Sequence, residues 1–571
     1  MLALFLASVI SLEAPFGNYD ITVPEFPDRD FNIVDYGAKA GEKCTDAIAQ
    51  AMKACSEAGG GHVIVPKGAW LTGCVRFRSN CDLHFEEGAI LEFTDDPADY
   101  PKVHTTWEGV ECLNHSPLLF AYEVENVAIT GNGLIEPRMD FWRTWFSRPP
   151  AHMYATECLY YWCSTNAPVA NRDLMAIKGS NVRPHLIQFN RAKNVLLDGF
   201  RIKESPFWMI HLYHSENCVV RNLNTCAYGH NNDGVDVDMT KNVLIENCRF
   251  DQGDDGIVLK AGRNADAWRL NRCTENVVVR NCDLADAHSL LGIGSELSGG
   301  VRNVWMHDCK AVATFNALRI KTSPRRGGFV ENIYLNDCMV KEVDNIVYLQ
   351  TDYYVQWKKF PDFELRYTAI SNINVSGISV KRANSALRLE GDWHKKPCGL
   401  HFKDLTLSTV RDKFVTIENC EDVTLDNVKL LSDDGKVSYA YCGLLPIEGY
   451  PAGKTAAHKT ASEFVNSGVF RNYADGVYEL DNGVKAIIEE HVETLLDQAE
   501  FKTDEEHDQL FALITPDVND IFLYGEYKQI SGCWCDGFVY IPAGMRVADA
   551  LTHGFPHRIR QLRVLIPRAS K

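Results

Sequence analysis

A short phrase recurs along most of the chain and constrains the fold more than any other feature. Each copy has an Asn, an apolar residue, alternating apolar and polar positions, and then Asn-Cys or an equivalent pair. The copies begin at Glu125, Lys193, Glu216, Lys241, Glu275, Arg302, Glu331, Ser371 and Glu421. Repetition at a period of roughly 20 to 35 residues is the sequence mark of a solenoid. The 571-residue chain is therefore predicted to have a repeat architecture.

The apolar residues within each copy alternate with a period of two, which is strand patterning. This pattern predicts an all-β fold, a right-handed parallel β-helix in which each coil stacks on the one before. A helical pattern from Thr45 to Glu57 is predicted to cap the open end of this solenoid. The Asn positions are predicted to form a ladder between coils. One internal column of small buried residues is predicted at Cys218, Cys248, Cys282, Cys309 and Cys338.

Charge and composition exclude some classes of partner. The formal net charge of -18 argues against nucleic acid or an anionic membrane as the main partner, although basic residues gathered at one site could still bind an acidic substrate. No apolar run reaches the roughly 18 residues that would span a membrane. The first residues, MLALFLASVIS, have the apolar core of an export signal, so a periplasmic or extracellular location is expected.

Carboxylates recur at a spacing of about one coil. Asp254 and Asp255 stand side by side in QGDDGIVLK, and Asp233 occupies a similar Asp-Gly context 21 residues before Asp254. Stacked strands lie about 4.8 Å apart, so Asp233 is expected directly beneath the Asp pair. A single Asp-Gly is usually a turn, and only the order and spacing of the three predict a site.

Basic residues follow at the same spacing. His288 precedes a Gly-rich strand, and Arg319 and Lys321 belong to a later Arg-Ile-Lys. Residues two apart on a strand point to the same side, so both cations are expected to reach one groove. They would keep carboxylates ionised or bind an acidic sugar.

In this order, the motifs resemble those of the polygalacturonases, the family 28 glycoside hydrolases. The family's Asn-x-Asp, Gly-Asp-Asp, His and Arg-Ile-Lys are matched at 231–233, 253–255, 288 and 319–321. The phrases FNIVDYGA, GGGHVIVPKG and SPFWMIH also resemble this family, particularly its bacterial exo-acting members. Ser289 and Gly256 depart from the usual Gly after the His and Cys after the Asp pair. The resemblance extends over roughly residues 31–445.

The resemblance implies an inverting hydrolase that needs no metal or other cofactor. It implies that Asp254 is the general acid, because clustered like charges keep one carboxyl protonated. Asp233 and Asp255 then position and deprotonate a water, with a gap of about 6.5 to 9.5 Å between acid and base. The resemblance implies that His288 orients the acid or hydrogen-bonds the sugar near the scissile bond. The implied sugar-binding residues are Arg319, Lys321, Asn231, Lys260, Trp208 and His211.

The implied substrate is a pectic oligosaccharide or polysaccharide with galacturonic acid units. The region from about Pro137 to Pro184 interrupts the repeat and is rich in Trp, Tyr, Arg and Pro. Such an insertion is expected to form a wall of the cleft. Together with RPHLIQF from Arg183, it favours removal of terminal sugars, as in the exo-acting relatives.

The domain boundaries follow from where the repeat begins and ends. Residues 1–20 are a possible signal or N-terminal segment, 21–450 the β-helix, and 451–462 a linker. Residues 463–571 are interpreted as a small accessory β domain that resembles part of a cupin barrel. His491, His507 and His553 are available there for a metal, although the usual His-x-His is missing.

Three alternatives remain open from the sequence. A rhamnogalacturonan hydrolase of the same family would use the same residues on a different pectic chain. A pectate lyase would need calcium bound by several acidic groups, and Asp236 and Asp238 could supplement Asp233. A non-catalytic β-helix would bind polysaccharide and leave the ordered carboxylates unexplained.

Overall fold

The structure is a computed structural model that describes residues 7–353, 365–392, 394–408 and 413–430. Beyond these it gives the backbone of Ser438–Gly443, Tyr473–Asp475, Asp520–Lys528, Trp534–Pro542 and Arg558–Pro567. The predicted linker at 451–462 and the three candidate metal ligands of the tail lie outside the described residues. The chain forms two compact units, Met1–Lys341 with Tyr354–Thr368, and Glu342–Tyr353 with Ala369–Lys571.

The first unit is a stack of coils with three columns of parallel strands. The first column contains Asp30–Asn32, Gly61–Val65, Cys81–Phe85, Glu125–Gly131, Lys193–Asp198, Glu216–Arg221, Lys241–Glu246, Thr274–Arg280, Val301–His307 and Phe329–Asn336. The second contains Gly68–Thr72, Ala89–Phe93, Leu134–Pro137, Arg201–Lys203, Asn224–Ala227 and Arg249–Gln252. The third contains Val75–Arg76, Leu119–Tyr122, Ile187–Asn190, Ile210–Tyr213, Val235–Asp238 and Ile257–Lys260. Asp283–Gly294 and Lys310–Lys321 each run through the second and third columns as one strand.

The second unit has parallel coils followed by antiparallel strands. Its coil strands are Ala369–Ser376, Ser379–Glu390, Cys398–Lys403, Thr406–Leu407, Lys413–Asp426, Lys429–Leu430 and Ser438–Gly443, preceded by Met339–Gln350, which begins in the first unit. The described strands of the tail, Asp520–Lys528, Trp534–Pro542 and Arg558–Pro567, pair antiparallel with one another. A cupin-like accessory domain stays a prediction.

Asparagines tie the coils together, as the repeat predicts. Seven of them each donate a side-chain hydrogen bond of 2.9 to 3.1 Å to the asparagine one coil below, namely Asn126, Asn194, Asn217, Asn242, Asn276, Asn303 and Asn332. Each has a φ between 52° and 58°, a left-handed conformation that Asn tolerates better than most residues. The ladder therefore satisfies side-chain amides and turn geometry with one residue type.

The predicted cysteine column is correct for four of its five members. The backbone amide of Cys282 donates to the sulfur of Cys309 at 3.4 Å, and Cys248 and Cys338 extend the column on either side. The prediction is wrong for Cys218, because this residue pairs with Val243 in the first strand column and not with Cys248. The cysteines of the described residues are free thiols, so these positions act as small buried apolar groups.

The first coil is covered where the sequence predicts a cap. Helix α1, Thr45–Glu57, has the predicted bounds and packs against Gly61–Val65 through a buried face that includes Ile48 and Met52. Before it, Ala7–Ala14 and Gly17–Pro24 form an antiparallel hairpin. Its buried apolar side chains pack on the outer face of the first strand column. The hairpin crosses the boundary placed at residue 20, and an export signal stays a prediction.

The insertion at 137–184 is folded and packs against Phe207 and Trp208, which precede the third-column strand Ile210–Tyr213. It contains helix α2, Pro150–Ser164, and short 3-10 turns at Trp142–Ser147, Val169–Asn171 and Leu174–Ala176. A hairpin of Lys102–Trp107 and Val110–His115 and a short helix α3, Asn264–Leu270, pack beside it. The remaining 3-10 turns are Ile33–Tyr36 and Pro97–Asp99. None of the helices in the described residues is long and apolar enough to cross a membrane.

The asparagine ladder yields a stability prediction. Asn242 donates to Asn217 at 3.1 Å and accepts from Asn276 at 3.0 Å. We expect Asn242→Gly to lower the free energy of unfolding by about 1–3 kcal/mol, because two side-chain hydrogen bonds are lost. Asn242→Ala should cost about 1–2 kcal/mol more, because Ala resists the left-handed backbone. Urea unfolding measures both.

Asn271→Gly is the matched control, because Asn271 has a φ of 48° and ends helix α3 outside the ladder. It should leave the unfolding midpoint nearly unchanged. Equal losses at Asn242 and Asn271 would show that the inter-coil bonds contribute nothing.

Candidate active site

The register between successive coils brings the three aspartates together. Val235 pairs with Ile257, and the backbone amide of Gly234 donates to the carbonyl oxygen of Asp255 at 2.9 Å. Asp233 therefore lies one coil below Asp255. One carboxylate oxygen from each of Asp233, Asp254 and Asp255 lies within 4.8 Å of the other two. The sequence prediction of a three-carboxylate cluster agrees with this geometry.

Asp254 is held by hydrogen bonds on both carboxylate oxygens. Its Oδ1 lies 3.0 Å from His288 Nδ1 and accepts from the backbone amide of Asp255 at 3.0 Å. Its Oδ2 accepts from the backbone amide of Asn231 at 3.2 Å. His288 lies one coil above, since its backbone amide donates to the carbonyl oxygen of Asp254 at 2.8 Å. The acid, the histidine and Asn231 thus form one hydrogen-bonded group.

Two lysines supply positive charge to the other carboxylates. Lys321 Nζ lies 2.8 Å from Asp255 Oδ2. Lys260 Nζ lies 3.9 Å from Asp233, 3.7 Å from Asp236 and 3.3 Å from Glu296. The cluster could geometrically hold a metal ion, but these ammonium groups already offset much of its negative charge. Metal-independent catalysis stays a prediction.

Glycines leave room for this arrangement. A methyl group on Gly292 would lie 3.2 Å from Asp255 Oδ2, and one on Gly294 would lie 2.1 Å from the carbonyl oxygen of Lys321. Gly294 also has a φ of 93°, which side chains resist. On the next coil, Gly292 pairs with Arg319 and Gly294 pairs with Lys321. Each long cationic side chain therefore stands above a glycine, which has no side chain.

The pKa values correct the expected distribution of protons. Burial alone would raise the pKa of Asp254, but the hydrogen bond and charge of His288 outweigh it and lower that pKa to about 2. Burial opposes protonation of His288, yet its bond to Asp254 raises the histidine pKa. Burial and the charge of Asp254 raise the pKa of Asp233. Asp254 is thus not the carboxyl kept protonated by crowding, and its pair with His288 carries the proton instead.

Three predicted sugar-binding residues are buried beneath the cluster. Trp208, His211 and Lys260 are 1%, 0% and 4% exposed, and sugar contacts by these three residues stay predictions. The Lys260 ammonium lies 4.5 Å from the Trp208 ring centre, which places Trp208 as packing for that lysine. His211 bonds to Gln188 at 3.0 Å and to Asp238 at 3.2 Å.

Arg319 and Asn231 have more specific surroundings than the sequence indicates. Arg319 is largely buried, and its Nη1 donates to the backbone oxygen of Ile320 at 3.1 Å. The side-chain oxygen of Asn231 accepts from Arg183 Nη2 at 3.0 Å. Sugar contacts by Arg319, Lys321 and Asn231 stay predictions.

Arg183 joins the insertion to the catalytic cluster, a role that the sequence did not reveal. Its Nη1 donates to the backbone oxygens of Pro206 at 2.9 Å and of His230 at 2.7 Å. Its guanidinium lies 5.0 to 5.4 Å from three aromatic ring centres, those of Trp145, Phe146 and Phe207. Because Arg183 also holds Asn231, it fixes the backbone amide that binds Asp254. Glu296, the closest partner of Lys260, was missed as well.

The comparisons with known proteins place this site in a family. The sequence model of glycosyl hydrolases family 28 matches residues 170–431. A solved structure, the hyperthermoactive exopolygalacturonase from Thermotoga maritima, is 33% identical with a TM-score of 0.65, over 71% of this chain and 94% of that one. The chain belongs to glycosyl hydrolases family 28.

Two curated relatives extend this similarity. A probable polygalacturonase of Vitis vinifera is 25% identical over 74% of this chain and 83% of its own length. An exo-poly-alpha-D-galacturonosidase of Dickeya chrysanthemi is 24% identical over 69% of this chain and 74% of its own. The predicted family, the parallel β-helix and the glycoside hydrolase class are confirmed. The family assignment disfavours the lyase and the purely binding alternatives.

The link from Arg183 to Asp254 in this hydrolase predicts coupled mutations. We expect Arg183→Met and Asn231→Gly each to lower kcat by about tenfold or more, because the acid loses its fixed position. Glycine is used at Asn231 because its φ is 60°. In the double variant the losses should not add, and the coupling should be about 0.5–3 kcal/mol.

Arg172→Met is the control, since Arg172 is equally buried in the insertion but pairs with Asp266 at 2.9 Å. Its effect should add to that of Asn231→Gly. Additive losses for Arg183 and Asn231 would contradict the link.

The His288–Asp254 pair predicts the alkaline side of the pH profile. The pair is intact above a pH of about 2, where Asp254 ionises, and is lost as the pH rises through the raised pKa of His288. We expect wild-type kcat/KM to fall through that pKa, above the ordinary 6.5 of histidine. His288→Gln should lower kcat by about 10²-fold and move this fall to lower pH, because Asp254 alone then titrates. A fall at the same pH in both proteins would contradict the shared proton.

Proposed function

We propose that this hydrolase removes terminal galacturonic acid units from pectic oligosaccharides or polysaccharides, with inversion at the anomeric carbon. The observation that carries the proposal is the division of the carboxylates into two groups. Asp254 forms a proton-carrying pair with His288, whereas one oxygen each of Asp233 and Asp255 has no hydrogen-bond partner among the described residues. The first group suits an acid and the second suits a water.

The chemical step follows from this division. The pair gives its proton through Asp254 to the glycosidic oxygen as the bond from that oxygen to the anomeric carbon breaks. A water that donates hydrogen bonds to the carboxylates of Asp233 and Asp255 attacks the anomeric carbon, and its proton passes to one of these two carboxylates. Burial raises the pKa of Asp233, so this carboxylate is a stronger base than an exposed one once it is ionised. The products are a free sugar and a chain one unit shorter.

One oxygen from each carboxylate lies within 4.8 Å of the other two, whereas the expected gap of about 6.5 to 9.5 Å is between the carboxyl groups of the acid and the base, so that gap stays a prediction. Two carboxylate oxygens within 4.8 Å can share one water through two hydrogen bonds of about 2.7 Å. The water thus lies within the cluster and not across a wide cleft. The distance that matters for inversion is from this water to the sugar carbon.

Local positive charge supports a uronic acid substrate. The protein has a net charge of -18, yet Lys321 and Arg319 stand on one strand beside the cluster. Lys321 has three N–H donors, so it can bind Asp255 and a sugar carboxylate together. The names of the Thermotoga and Dickeya relatives also point to a galacturonide cut from a chain end.

The insertion supports terminal cleavage. Phe146 contacts the turn before Asp233, since a methyl group on Gly229 would lie 2.4 Å from its ring. The ring also packs edge-on against His230 with centroids 5.7 Å apart. Phe146 thus packs against the turn that leads to Asn231 and Asp233. A periplasmic or extracellular location is part of this proposal, because pectic polysaccharides are cell-wall polymers that lie outside the cytoplasm.

Product analysis tests the proposal. Oligogalacturonates reduced at one end are digested and the products are followed by mass spectrometry. We expect galacturonic acid monomer and a reduced chain shortened by one unit at a time. Asp254→Asn should lower kcat by about 10²–10⁴-fold, because the acid is lost. Asp308→Asn, on an exposed turn, is the control and should match wild type.

Mixed internal fragments would show endo action, and an unsaturated product absorbing in the ultraviolet would show elimination. Turnover of rhamnogalacturonan fragments but not of oligogalacturonates would reassign the substrate within the family. Each of these results would overturn the proposal as stated.

A further inference from the structure

Phe315 is a large apolar side chain left exposed beside the catalytic pair. It is 54% exposed, and its ring stacks on His288 with centroids 4.8 Å apart and an angle of 21° between the planes. His288 is itself bonded to Asp254 through Nδ1. Single exposed apolar residues are common and need no explanation. Phe315 differs from them because it extends a surface that begins at the catalytic acid.

The strand register fixes the place of this ring. Ser289 pairs with Asn316, so Phe315 lies one coil beyond His288, in the direction away from Asp233. Val312, on the same strand and 52% exposed, belongs to the part of the strand that pairs with the second column. The two residues are thus equally exposed, but only Phe315 adjoins the site.

The protein surface on the two sides of Asp254 differs in how far other side chains cover it. On the side of Asp233, the insertion places Phe146 against His230, and Arg183 is buried among aromatic rings. On the side of His288, the stacked ring of Phe315 is exposed. A chain cut at its terminal unit can therefore place that unit against the insertion and extend over His288 and Phe315.

We infer that Phe315 and His288 form an aromatic platform for the sugar on the leaving-group side of the scissile bond. This inference rests on the proposed function and adds a binding subsite for the second uronic acid unit. Aromatic faces carry partial negative charge, and the C–H groups on a pyranose face carry partial positive charge, so the two stack. Lys321, partly exposed on the same strand, offers its ammonium to the carboxylate of the same unit.

The experiment measures KM and kcat on trigalacturonate for wild type, Phe315→Ala, Phe315→Leu, Phe315→Tyr and Val312→Ala. Loss of an aromatic contact should raise KM roughly five- to tenfold and leave kcat within about twofold. Leu keeps the apolar volume without a flat face, so it should behave like Ala. Tyr keeps the face and should behave like wild type, as should Val312→Ala.

A second readout separates binding from support of His288. In the Asp254→Asn background, calorimetry should show the dissociation constant of trigalacturonate rising by the same factor for Phe315→Ala. If Phe315 only orients His288, kcat falls and the alkaline pH limb moves while the dissociation constant stays, which overturns the inference. It is also overturned if Leu matches wild type, or if Phe315→Ala matches Val312→Ala.

Loss of hydrolysis and loss of the platform give different results. If wild type does not hydrolyse galacturonides, the proposed function fails and the platform fails with it. If wild type hydrolyses trigalacturonate and the Phe315 variants bind it normally, only the platform fails.

Discussion

The backbone hydrogen bonds between successive coils are the constraint on which the rest of the first unit depends. They stack each residue on its equivalent one coil below, so any residue type that recurs at the coil spacing becomes a continuous column. The asparagine ladder, the column of small thiols and the pairing of Asp233 beneath Asp255 are three results of this one rule. The same register sets His288 above Asp254 and Phe315 above His288. The active site is therefore a column of the solenoid whose members are polar.

A polar column in a β-helix has an electrostatic cost, and the chain offsets it locally. Three carboxylates within 4.8 Å repel one another, and burial makes each charge less favourable. Lys321, Lys260 and His288 each stand beside a different aspartate. Gly292 gives Lys321 access to Asp255, since any side chain there would crowd the carboxylate. Within the described residues, this arrangement leaves one oxygen each of Asp233 and Asp255 without a hydrogen-bond partner.

Periodic features could be predicted from the sequence, and features set by the insertion could not. The clustering of Asp233, Asp254 and Asp255, the position of His288 and the capping helix follow from spacing and pattern, because neighbouring coils repeat the same local geometry. Cys218 was misplaced because its phrase begins with Glu-Asn-Cys, which puts the thiol at the position of Val243 and not of Cys248. His211 and Lys260 lie on strands of the third column and Trp208 precedes one of these strands, and all three contact residues distant in sequence. Arg183 and Glu296 act through partners that no local pattern reveals.

The most direct test of the account is the anomeric configuration of the first product, followed by proton NMR during digestion of oligogalacturonate. The short spacing of the carboxylates makes this measurement decisive, because close pairs are typical of retaining glycosidases. If the cluster holds a water between Asp233 and Asp255 while Asp254 protonates the leaving oxygen, β-galacturonic acid appears first and then mutarotates. If α-galacturonic acid appears first, one of the aspartates attacks the sugar directly, and the division of roles derived from the structure is wrong.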